Sequence, residues 1–260
     1  MMHTSTGVFA MSPATFKDLA KTLAGVAFVG LAAALSGCDA ASVTIDGAKG
    51  VPLAQLDLSG KAPDEVTLLG PDRVHIVRGA AIAISVDGEQ AIKDKLRFTL
   101  KDGKLGIARD NWKSSDESGV ATVNVTLPAA RELVLAGSGQ IDIDALEADQ
   151  AKVTIAGSGT IDATRITAKE LKVDVVGSGK LRGAGSADQL KVTVAGSGNA
   201  ELDGLTASSA KVDVAGSGNT RFASDGDVKA DIMGSGEVRV KGRATCKVSS
   251  MGSGRLVCEP

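Results

Sequence analysis

Side chains able to do chemistry are few in this sequence, and their spacing decides what each can do. Histidines stand at 3 and 75, and cysteines at 38, 246 and 258. A Ser-His-Asp hydrolase needs an imidazole held between nucleophile and carboxylate. His75 lies in the alternating stretch RVHIV and reads as an ordinary strand residue. Structural zinc takes about four Cys or His ligands, and no such set can be assembled here, so no metal and no cofactor is expected. Carboxylates offer more: Asp142, Asp144 and Asp162 could gather near one corner, and Asp174, Asp213 and Asp231 along another face. Paired acids can cleave glycosides or bind calcium. Against this, Thr193 stands between Asp174 and Asp213, the calcium-binding nonapeptide of other β-rolls is missing, and Trp112 stands nearly alone as an aromatic platform. The acids read as a solvated outer face beside lysines, and no catalytic residue is assigned.

The most distinctive exposed series is Lys152, Lys172, Lys191, Lys211, Lys229 and Lys247. Like charges at a strand spacing of about 4.8 Å repel unless neighbours compensate, and the Asp and Thr of the next outward column could do so. The stripe is a candidate surface for an anionic envelope polymer; the plainer reading is solubility and protection against aggregation. Net charge is −2, which leaves no large electrostatic case for nucleic acid.

Cys38 has a different context. Lys17 and Lys21 precede the apolar stretch TLAGVAFVGLAAAL, too short and too rich in small residues for a membrane-spanning helix and well suited to a signal peptide. It ends in Leu35-Ser36-Gly37-Cys38, which resembles the bacterial lipobox. That resemblance implies cleavage after residue 37, lipid on the Cys38 sulfur, and a soluble domain held to a membrane. Asp39 resembles the inner-membrane retention signal of enteric lipoproteins, while either membrane stays open. Met1, Met2 and Met11 are all possible starts.

The elements that position these groups follow from a repeat. Gly-Ser-Gly occurs at 137–139, 157–159, 177–179, 196–198, 216–218, 234–236 and 252–254. A period near 20 is the mark of a solenoid rather than a propeller blade or a flexible linker. Four and two residues before the triplet stand apolar side chains such as Val153 and Ile155, Val173 and Val175, or Val192 and Val194. Between them are Thr154, Asp174, Thr193, Asp213 and Asp231, and five before the triplet come the lysines. Period-two alternation of this kind argues strand. Twenty residues at about 3.3 Å each give a triangular coil, and seven coils make a rod on the order of 34 Å long. No proline falls between Pro128 and Pro260, so nothing interrupts the ladders. Gly137, Gly157, Gly177, Gly196, Gly216, Gly234 and Gly252 are expected to turn corners, with the serines stacked as a hydroxyl ladder. A phosphate loop would need a helix and a lysine after the glycines, whereas strands follow here.

Residues 43–127 read as strands between Gly, Asp and Pro turns, with KDGK the clearest hairpin and 110–119 a polar exposed loop. This half should start the solenoid and cover its first edge. Cys246 and Cys258 fall on inward columns of the last coil, which suggests a disulfide closing that end, with two free buried thiols as the alternative. The expected organisation is a signal peptide over 1–37, a lipidated end and linker over 38–49, a β cap over 50–128 and the solenoid over 129–260.

LDLSG, RVHIVRGAAIAISVDG, KDGKLGIAR and VNVTLPAARELVLAGSG, followed by the GSG coils, resemble the bacterial envelope family described as "putative auto-transporter adhesin, head GIN domain" over roughly residues 50–257. The resemblance implies an all-β fold: a right-handed parallel β-helix with an N-terminal β-sheet cap. The reading for function is a non-enzymatic, lipid-anchored envelope protein presenting its surface for adhesion or envelope interaction. Its partners would be the membrane, through the anchor, and an envelope polymer or protein. A periplasmic structural or sensory module is the alternative, and a polysaccharide-active enzyme stands behind both.

Overall fold

The computed structural model describes residues 44–45, 47–110 and 119–260. Residues 1–37, Cys38 and most of the 110–119 loop, Trp112 included, lie outside the described residues. The chain divides into Met1–Cys38 and Asp39–Pro260, and the described residues all belong to the second unit.

The repeat forms strands β9 (Glu132–Gly137), β10 (Gln140–Gly157), β11 (Thr160–Gly177), β12 (Lys180–Gly196), β13 (Asn199–Gly216), β14 (Asn219–Gly234), β15 (Glu237–Lys241), β16 (Thr245–Gly252) and β17 (Arg255–Glu259). Each of β10 to β14 runs almost a full coil, from one triplet to the next. Every coil pairs parallel with its neighbours, so like stacks on like: Lys152 lies opposite Lys172, Val153 opposite Val173 and Gly157 opposite Gly177. The fold is a right-handed parallel β-solenoid with a small N-terminal sheet. Its core is columns of aliphatic side chains, with Val153, Val173 and Val212 fully buried beside Ile155, Val175 and Val214. One inward position breaks the pattern. Thr220 stacks between Ala200 and Val238, wholly buried, and its hydroxyl has no partner among the described residues.

The triplet turns the corner as glycine chemistry requires. Gly177 has φ +110°, and a Cβ there would stand 2.6 Å from the carbonyl oxygen of Gly157 one coil below. The triplet's second glycine faces inward: a Cβ on Gly179 would meet Ile155 at 2.4 Å. The serines between are exposed, and it is their backbone N–H groups that bond across coils, as Ser178 does to the Gly157 carbonyl at 2.9 Å. No bond between serine hydroxyls links the corners of the described residues, so the ladder is backbone rather than the expected row of hydroxyls.

The first half contributes β1 (Thr44–Ile45) and β2 (Ala48–Lys49), a two-stranded ribbon, then β3 (Glu65–Leu69), β4 (Arg73–Arg78), β5 (Ala83–Asp87), β6 (Leu96–Lys101), β7 (Lys104–Arg109) and β8 (Thr122–Leu127). A single helical turn, α1 (Gln90–Lys93), lies between β5 and β6. β3 and β4 stack in register on the first GSG coil, pairing with β9 and β10. Gly70-Pro71-Asp72 therefore fills the corner place of a triplet: Gly70 has φ +127°, and its oxygen would lie 2.7 Å from a Cβ on Gly137. β7 and β8 stack beneath β3 and β4, again parallel. Antiparallel β6 on β7 and β5 on β8 then cover that edge, which blunts its capacity to pair with other chains. The β6–β7 turn is the KDGK hairpin, with Asp102 and Gly103 both at positive φ, as a type I′ turn demands.

Candidate functional site: the outer faces of the solenoid

The face formed by the strand before each triplet carries the lysine column, and the structure changes its meaning. Lys152 pairs with Glu132 at 2.6 Å, Lys172 with Asp174 at 3.1 Å, Lys191 with Glu170 at 2.6 Å, Lys211 with Asp213 at 3.2 Å and Lys229 with Asp231 at 3.0 Å. Among the described residues Lys247 alone of the six has no such pair. The column is thus a row of ion pairs rather than a free positive stripe.

The aspartates beside it correct a second expectation. Asp174 and Asp213 are not a solvated face: they are 3% and 6% exposed. Asp174 stacks between Thr154 and Thr193, and Asp213 between Thr193 and Asp231, while lysine stems can cover neighbouring surface and keep the ammonium wet. Thr154, in the same column, has a buried hydroxyl without a partner among the described residues.

The face after each triplet carries two polar columns in register. One runs Arg73, Gln140, Thr160, Lys180, Asn199, Asn219, Glu237, Arg255; the other runs His75, Asp142, Asp162, Arg182, Glu201, Arg221, Arg239, Val257. Asp142 and Asp162 do come together as stacked neighbours, but they are bridged rather than poised for acid–base work. Gln140 Nε2 donates to Asp142 at 2.7 Å, and Arg182 lies 3.3 Å from Asp162. Asp144 faces His75 instead, with 4.0 Å between its Oδ1 and Nε2. Burial pushes the Glu201 carboxyl up, but hydrogen bonds from Lys180 and Arg182 outweigh it and hold the group below the ordinary glutamate value. Arg239, bonded at 2.8 Å, and Arg255 hold Glu237 below that value as well. Asn199, Glu201, Asn219, Arg221, Glu237 and Arg239 line an open groove of about 430 Å³.

At the last coil, Cys246 and Cys258 form a disulfide, their Cα atoms 6.8 Å apart. Among the described residues no group of three or more His, Cys, Asp or Glu side chains is placed to hold a metal. No helix among them is long and apolar enough to cross a membrane.

Two site features went unread in the sequence. One is the buried pair Asp72–Arg109 in the cap, where Arg109 Nε donates to Asp72 at 2.9 Å and the Ala121 N–H donates to the same carboxylate at 2.8 Å. The other is the arginine pair Arg221–Arg239 in the groove. Its signal was present, since Arg221 and Arg239 hold the same place in successive repeats.

Fold and faces together define a capped parallel β-solenoid with polar, charge-paired outer surfaces. The chain belongs to the family described as "putative auto-transporter adhesin, head GIN domain", whose model matches residues 62–244. Among solved structures it is similar to a "putative adhesin" from Bacteroides fragilis, 20% identical with TM-score 0.68, covering 77% of this chain and 93% of that one. A "putative lipid binding protein" from Parabacteroides distasonis is 24% identical with TM-score 0.62, covering 76% and 93%. A "putative adhesin" from the same species is 18% identical with TM-score 0.63, covering 78% and 94%. At these identities the likeness is one of fold. No curated protein matches the chain.

Proposed function

We propose that this protein is a non-enzymatic, lipid-anchored component of the bacterial cell envelope, held at Cys38 and presenting the outer faces of its solenoid for adhesion or envelope contact. The observation that carries this reading is the in-register stacking, which turns one side chain per coil into a straight, rigid row of paired charges. A surface of that kind is pre-organised and loses little conformational freedom on binding. The family's adhesin description supports the same reading, and so does the Cys246–Cys258 disulfide, since such bonds persist in oxidising compartments outside the cytoplasm.

The test has two arms. Lipid labelling of the expressed chain should be present and should vanish in Cys38→Ala; labelling that survives the substitution removes the anchor. Protease added to intact cells should degrade the solenoid. Protection until the envelope is opened would overturn adhesion in favour of a periplasmic partner-binding module.

A further inference from the structure

The second polar column of the face after the triplet alternates or bridges its charges almost throughout. Arg182 lies between Asp162 and Glu201, and the one acid–acid neighbour pair, Asp142 and Asp162, receives an amide from Gln140. Arg221 and Arg239 break this order. They are register partners on adjacent coils, about 4.8 Å apart at the backbone, with no carboxylate between them in the column. Like charges directly opposite one another destabilise a sheet. Arg221 lies 3.5 Å from Glu201, its column neighbour on the coil below, and 3.6 Å from Asp203, so the acids sit on one side of the pair and none stands between the two guanidinium groups in the column. Arg239 donates to Glu237 at 2.8 Å, while its Nε is buried and has no partner among the described residues.

The two guanidinium groups line the 430 Å³ groove together with Asn199, Asn219, Glu201 and Glu237. Asn219 donates its amide to Asn199 at 3.1 Å, and among the described residues the Asn199 amide N–H groups and the Asn219 side-chain carbonyl have no partner and can meet a ligand. Every lining side chain is polar.

We infer that this groove binds an acidic glycan, with a sugar carboxylate between Arg221 and Arg239 and ring hydroxyl groups on the asparagine and glutamate side chains. Guanidinium forks match carboxylate geometry bidentately, which a point charge such as lysine does not. Hydroxyl groups need both donors and acceptors, and the amides and carboxylates of the groove supply them. An acidic peptide fits less well, because the lining offers no apolar pocket for side chains. This assignment rests on the envelope-contact reading only for its biological setting; it names the chemistry of the ligand.

Calorimetry of the full chain in detergent with trigalacturonate tests it. Binding is expected, and galactotriose, the neutral counterpart, should give none. Arg221→Gln and Arg239→Gln should each weaken binding at least about tenfold, the loss of a charge-assisted hydrogen bond. Asn219→Asp, which adds a negative charge to the groove and leaves both arginines in place, should weaken it too, whereas Lys191→Gln on the other face should not. Equal binding of the neutral trisaccharide, no binding of trigalacturonate at millimolar concentration, or unchanged affinity in the arginine variants overturns the assignment. Displacement by equimolar inorganic phosphate would overturn its glycan part and leave a bare anion site. Because purified protein is used, failure here leaves the protease result on intact cells unaffected.

Discussion

Asp72 stands in the corner place that Gly139, Gly159 and Gly179 fill in later coils, and its buried carboxylate is locked to Arg109 of the coil beneath. Both side chains are almost fully enclosed, and Arg109 also donates to the Gly119 carbonyl at 3.1 Å. The pair ties the two ends of the 110–119 loop to the first corner. A glycine there would leave Arg109 without its counter-ion.

Arg109→Met should therefore strand a buried carboxylate and lower stability by about 3–5 kcal/mol, the usual cost of removing one partner. Asp72→Asn combined with Arg109→Met should recover most of that loss, because an apolar or neutral replacement of both partners is far cheaper. Urea unfolding of the two variants decides the matter; equal destabilisation would show that the pair is not the source.

The lysines should differ among themselves. Lys172→Gln deprives Asp174, which is almost inaccessible to solvent, of its ion pair, and should cost about 1–3 kcal/mol. Lys191→Gln affects Glu170, which is partly exposed, and should cost at most about 1 kcal/mol. Thermal melts of the two variants side by side give the comparison, and an equal loss would refute the role given to burial.

Thr220→Val should stabilise the protein. It replaces a buried, unbonded hydroxyl in an aliphatic column by a methyl group of nearly the same shape, relieving a penalty of about 1–3 kcal/mol. A lowered melting temperature would mean that the hydroxyl has a partner after all.

Acid should act through Glu237. Its folded-state pKa lies below the unfolded value, held down by the hydrogen bonds from Arg239 and Arg255. Stability from this group is present above the unfolded glutamate pKa and is lost as pH falls through the depressed folded one. Glu237→Gln should thus shrink the stability difference between neutral pH and pH values below the ordinary glutamate range. Denaturation midpoints measured across that window should run flatter in the variant than in the parent protein.

The coil ladder was legible from Gly137 to Gly252 because its partners are separated by one period. When Lys152 and Lys172 recur at the same distance from their triplets, their contact follows from counting. The alternation of Val173, Asp174 and Val175 also assigns which side chains turn inward. It could not show that Asp174 is buried on the outward side, since that depends on side chains of the neighbouring coils closing over it. Nor could it show that five of the six lysines are neutralised, partly by acids such as Glu132 and Glu170 in adjoining coils.

The cap was harder for a related reason. Its stack order, β7 under β3 under β9, is not its chain order, and strand pairing there joins Glu65 to Lys104 on one side and to Glu132 on the other. No repeat marks those partners, so Gly70-Pro71-Asp72 was not recognisable as a corner and Asp72–Arg109 was not recognisable as a pair. By itself the sequence determined the repeat, its register and the inward columns, because those rest on local alternation and a constant period. Only the tertiary structure decided which outward charges are buried and which are paired, because those outcomes depend on the distances between side chains of neighbouring coils.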